Sequence, residues 1–63
     1  MLMYAVHHGE TWVYTQEDRD EAIEAAELSA DQVGGTWTVT VYDPSTNTMY
    51  DTIYVVTTDR YDV

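Results

Sequence analysis

Cysteine and lysine are both missing from these 63 residues, proline occurs once and glycine three times. Without cysteine there is no disulfide framework, zinc ribbon or thiol chemistry, which fits a cytoplasmic setting. No stretch approaches the roughly 18 apolar residues of a membrane span. The opening MLMYAVHH is too short for a secretory signal and lacks its basic start. Positive charge is scarce as well: two arginines stand against twelve acids, a formal charge of −10. Such a chain repels DNA, RNA and anionic membranes, so its expected partners are basic proteins or cations. Acid-rich, lysine-poor composition also serves solubility in a salt-adapted cytoplasm, and composition does not separate the two explanations.

What is present reads as one domain over residues 1–63, near the lower size limit for folding without staples. A first strand is expected over 2–8, its opening MLMYAV apolar on both alternating faces, as in a central strand. His8-Gly9-Glu10 turns the chain into a second strand, 11–15, forming a hairpin. A helix is expected over about 17–33, capped by Thr15 with Asp18 in a weak capping box. Ala22, Ile23, Ala26, Ala30 and Val33 fall on one face, with Ala25, Leu28 and Ser29 along its edge. Small residues in the middle and Ile23 and Leu28 at the rims suit close packing on a sheet, with two places open to Leu28: the core edge, or the middle of the acidic face as a contact anchor. Gly34-Gly35 stops the helix, one of the pair being left-handed. A third strand, 36–42, places Trp37, Val39 and Val41 on one side. Asp43-Pro44-Ser45-Thr46-Asn47 is a turn, and a fourth strand, 48–58, precedes a polar, frayed tail, 59–63. The expected architecture is α+β: ββαββ, with one helix on one face of a four-stranded, mainly antiparallel sheet.

Residues 6–43, VHHGETWVYTQEDRDEAIEAAELSADQVGGTWTVTVYD, resemble a group of small bacterial domains without a settled function. Those domains combine a tryptophan-bearing hairpin, an AIEAA-type helix and a glycine-led return hairpin. The resemblance covers about two thirds of the chain. It implies the ββαββ fold and no activity, and it departs on the helix surface, acidic here and basic in that group.

No residue pattern points to catalysis. His7 and His8 are adjacent in a strand and face opposite ways, so one metal cannot easily take both. With no third histidine, neither a metal nor a cofactor is expected, although one histidine could pair with Glu10. Ser29 and Ser45 lack a nucleophile elbow, and the Gly34-Gly35 pair is no phosphate loop. The helix carries the stronger signal. At 3.6 residues per turn, Glu17, Asp20, Glu21, Glu24, Glu27 and Asp31 share a face away from the apolar one. Acids in the first turn complement the helix dipole; Glu24, Glu27 and Asp31 have no such reason. Glu17–Glu21, Asp20–Glu24 and Glu27–Asp31 are like-charge pairs costing about 0.2–0.5 kcal/mol each. Six acids over about 21 Å give a charge every ~4 Å, loosely matching the ~3.4 Å phosphate spacing of a DNA strand.

A second surface is the sheet face that one helix leaves uncovered, where Tyr42, Tyr50 and Tyr54 are expected among threonines. Tyrosines there make good strand surface, and they also suit a partner or a second copy of the chain. The expectation is a non-catalytic, acidic, cytoplasmic protein-binding module. Its sharpest form is an inhibitor of phage or mobile-element type, whose acids mimic nucleic-acid charge in a basic groove of a host protein. The alternative is a housekeeping domain of a salt-adapted organism, dimeric through the tyrosine face.

Overall fold

A computed structural model describes residues 1–58; the expected tail 59–63 lies outside the described residues. The elements are β1 (Met3–His8), β2 (Thr11–Gln16), α1 (Arg19–Val33), β3 (Gly35–Asp43) and β4 (Thr48–Thr58). The four strands form one antiparallel sheet in the order β2-β1-β3-β4, so the expected ββαββ α+β fold is what the chain adopts. β1, apolar in its first four residues, is central, and α1 carries the chain from edge strand β2 across β1 to β3.

Each turn has a local cause. Gly9 leads the two-residue β1–β2 loop at φ 63, as a II′ turn requires of its first central residue. The β3–β4 loop is an Asx turn: Asp43 Oδ1 accepts from Ser45 N at 3.0 Å and from Ser45 Oγ at 2.6 Å. Asn47 closes that loop at φ 55 and accepts a bond from the Tyr42 hydroxyl at 2.6 Å.

The helix starts two residues later than expected, and its cap is Asp18 rather than Thr15. Asp18 is extended (φ −100, ψ 129), and its Oδ1 accepts from the backbone N–H of Asp20 at 2.8 Å and Glu21 at 3.1 Å. Thr15 is already committed to the sheet: it pairs with Ala5, and its Oγ1 accepts from Trp12 Nε1 at 3.0 Å. At the other end the Gly34 N–H bonds to Ala30 O at 2.9 Å. Both glycines have positive φ, 85 and 92. Gly34, at ψ 177, sits in a region open to glycine alone rather than in the left-handed helical well.

The core is thin. Ala22, Ala26 and Ala30 lie along one line of the helix and are fully buried, letting its backbone settle close onto Val6, Trp37 and Val39. Tyr4, Tyr14, Ile23, Ile53, Tyr54 and Val56 pack around that cluster. The indole N–H of buried Trp37 donates to Gly34 O at 3.0 Å, so the largest core side chain also holds the helix exit. Val33 and Leu28, expected on or beside the apolar face, are exposed instead. Val33 is the last helical residue, where the chain leaves the sheet. Leu28 is two positions beyond Ala26, about 200° around the axis and so opposite the core.

Three irregular steps decide which side of the sheet each residue takes. One lies between Val6 and His7 against β2, and two lie between Val39 and Tyr42 against β4. Each inserts an extra residue in the edge strand and reverses its alternation relative to the partner.

Candidate functional site

Two surfaces remain once the core is built: the outer face of α1 and the sheet face opposite it.

On the helix, Asp20, Glu21, Glu24, Glu27 and Asp31 are all exposed, as the helical spacing requires. Glu17 is not among them: it precedes the cap Asp18 and lies outside the helix. It lines an open hollow of about 610 Å³ with Met3, Thr15, Gln16, Asp18 and Glu21. The expected row of six acids is thus five, from Asp20 to Asp31 over about 16 Å. Glu27 has a structural task, since its carboxylate accepts from the Tyr54 hydroxyl at 2.5 Å. That bond, with the negative charge beside it, raises the Tyr54 phenol above its ordinary value of 10.0. On the other flank the Tyr14 hydroxyl and Ser29 Oγ lie 3.2 Å apart, so α1 is tied to both edge strands. Among the described residues Arg19 reaches only Asp20, at 3.6 Å between two exposed side chains, a contact worth at most about 1 kcal/mol. Among the described residues Glu24 and Asp31 have no partner that accounts for their charge. Between them on the surface, at i+4 and i−3, stands Leu28, 55% exposed.

The opposite sheet face differs from expectation in its tyrosines. Val39 pairs with Tyr54, so Tyr54 shares the helix side with Val39 and does not join Tyr42. Met49, rather than Tyr50, pairs with Tyr42; Tyr50 falls in the irregular step opposite Val41. Only Tyr42 of the three expected tyrosines is on the uncovered face. Trp12 takes the leading place there: alternation along β2 would set it on one side with Tyr14, but the extra residue between them leaves Tyr14 on the helix side and Trp12 on this one. It pairs with His7 across the β1–β2 irregularity and meets the Tyr42 ring edge-on, with centroids 4.9 Å apart. Beneath this aromatic pair lie Ala5 and Thr40, paired in register and both buried despite the missing second layer. Threonines fill the β3–β4 side: Thr40–Thr52 at 3.2 Å and Thr36–Thr57 at 3.1 Å are hydrogen-bonded across the strands.

The histidines separate as strand geometry requires. His8 faces the helix side and stacks on Trp37, centroids 4.2 Å apart and planes 3° from parallel. His7 faces the other way beside Trp12, at 5.9 Å, with its Nδ1 buried and unpartnered among the described residues. Neither histidine bonds to Glu10 there. Among the described residues no group of three or more His, Asp or Glu side chains is placed to hold a metal. No helix among them is long and apolar enough to cross a membrane. No family model, curated protein or solved structure matches the chain.

Proposed function

We propose that this chain is a non-catalytic binding module whose acidic helix face docks on a basic protein surface. The observation that carries it is Leu28: an exposed leucine set between Glu24 and Asp31, two acids that neither the helix dipole nor a partner among the described residues explains. An apolar centre within a charged surround is the usual anatomy of a protein-binding patch, the centre excluding water and the surround steering the encounter. In its specific form the basic surface is a nucleic-acid groove, with the five helix acids from Asp20 to Asp31 standing where phosphates would. Charges at about 4 Å intervals along the helix are compatible with that and also with a basic peptide or loop.

The test is binding to a panel of basic nucleic-acid-binding proteins at increasing salt, with and without competing duplex DNA. Binding that weakens steeply with salt, is displaced by DNA and drops with Glu24→Gln/Asp31→Asn supports the mimic. Leu28→Ser should weaken binding while leaving the salt slope unchanged. Binding that survives the charge substitutions refutes docking through this face. If nothing binds and stability instead climbs steeply in molar salt, the acids serve salt adaptation.

A further inference from the structure

We propose that the uncovered sheet face is a self-association surface, occupied by a second copy of this chain stacked face to face. This is a separate surface from the acidic helix and does not depend on what that helix binds.

The first ground is where the charge is absent. The chain carries −10, yet the side chains that the strand register turns to this face include no acid. They are aromatic, aliphatic or threonine, and Trp12 (43% exposed), Met49 (39%) and Val55 (57%) are its large apolar exposures. In a protein so acidic, a sheet face whose register-paired side chains carry no acid is a place where two copies can touch without opposing carboxylates from those positions. A basic partner would be drawn to the helix side instead.

The second ground is geometric. Stacked sheets lie about 10 Å apart, and a helix layer adds about 10 Å on each outer side. The two acidic helices would then stand about 30 Å apart, near three Debye lengths at 0.1 M salt, so their repulsion is largely screened. Four strands at about 4.8 Å, six to eleven residues long at about 3.3 Å, give a flat footprint of about 500 Å². Upright side chains raise the accessible area toward the roughly 800 Å² per partner of a standard interface.

The third ground is need. Val6 and Val39 are the only large side chains fully buried among the described residues, and Ala5 and Thr40 are already covered as if beneath a second layer. Edge-on pairing is the competing geometry. It is disfavoured because both edge strands carry irregular steps that interrupt a flat template.

Sedimentation equilibrium over a concentration series tests the proposal, with Val55→Glu and Thr38→Glu as paired variants. These two residues oppose each other across β3–β4 on the proposed interface. Gln32→Glu on the exposed helix surface adds the same charge elsewhere. The expected result is twice the chain mass for the wild type and Gln32→Glu, one chain mass for either face variant, and native circular dichroism for all. Trp12 emission should shift to the red when the face variants dissociate. A single-chain mass for the wild type at about 1 mM, the weak end of specific affinity, overturns the proposal. So does a dimer that persists unchanged in both face variants, which would place the contact at a strand edge.

Discussion

Gly35 is the position where a one-carbon change should be felt most sharply. Its φ is +92, where an L-residue is strained, and a Cβ built there would lie 2.6 Å from His8 Nε2 and 3.3 Å from His8 Cδ2. The imidazole is held on its other side by the Trp37 stack, which limits its retreat. For Gly35→Ala the backbone contributes about 1–2 kcal/mol of strain. Displacing His8 forfeits an aromatic contact of about 0.5–1.5 kcal/mol. The sum, about 1.5–3.5 kcal/mol, corresponds to a fall in Tm of roughly 10–25 °C for a domain this small. Urea denaturation followed by circular dichroism measures it, and a double-mutant cycle separates the parts. In a His8→Ala background the clash is gone, so Gly35→Ala should cost about 1 kcal/mol less than in the wild type. A cost below about 0.5 kcal/mol in the wild type would refute the reasoning, and an equal cost in both backgrounds would refute the His8 part of it.

Asp18→Ala removes the helix cap and should cost about 1 kcal/mol, whereas Thr15→Ala should leave helix content unchanged; far-ultraviolet circular dichroism with urea titration distinguishes them. Ala26→Leu forces a larger side chain between helix and sheet at a fully buried position and should cost about 1–3 kcal/mol or more by the same titration. The phenol of Tyr54 is raised by its bond to Glu27, so the stability this bond adds is present below pH 10.0 and lost as pH rises through the folded value. Ultraviolet titration should show one tyrosine ionising late, and Glu27→Gln should return it toward the others. Asp43 is lowered from 3.8 by its bond to the Ser45 hydroxyl, so its contribution is present above that pH and fades as pH falls through the lower folded value. Carboxyl NMR titration of Ser45→Ala should show Asp43 moving back up.

The surfaces were legible to different degrees. The acids of the helix could be placed because helical periodicity is local and regular: once α1 exists, Asp20, Glu24 and Asp31 share a side. Glu17 was misplaced because two capping candidates, Thr15 and Asp18, stand three residues apart, and only strand pairing shows that Thr15 is already engaged. Leu28 has a definite angle in the same helical count, which puts it opposite Ala26. Grouping it with the apolar rim relied on residue type over position. The sheet face was harder. Alternation is strict only between irregularities, and one extra residue sends everything beyond it to the other side. Setting Tyr50 on Tyr42's face puts Tyr54 there too, but Tyr42's partner is Met49; the two extra residues between Val39 and Tyr42 cancel, and Tyr54 falls on the side opposite Met49, with Val39. The tryptophan at position 12 gave a faint signal in the run Thr11-Trp12-Val13-Tyr14, whose bulky residues do not all fit one edge-strand face.

The amino-acid sequence by itself determined the order of elements, the small-residue face of α1, the glycine exit, the presence of a turn after Tyr42 and the concentration of acids on one helix surface. Each of these depends on residues within about a turn or two of one another. Tertiary structure decided that Asp18 caps, that Glu27 is tied to Tyr54, and that Trp12 rather than a row of tyrosines leads the uncovered face. Those outcomes depend on how edge strands β2 and β4 settle against their neighbours. The position of an extra residue there is set by pairing across the sheet, and the helix bond from Glu27 joins a strand residue, Tyr54, 27 positions further along the chain.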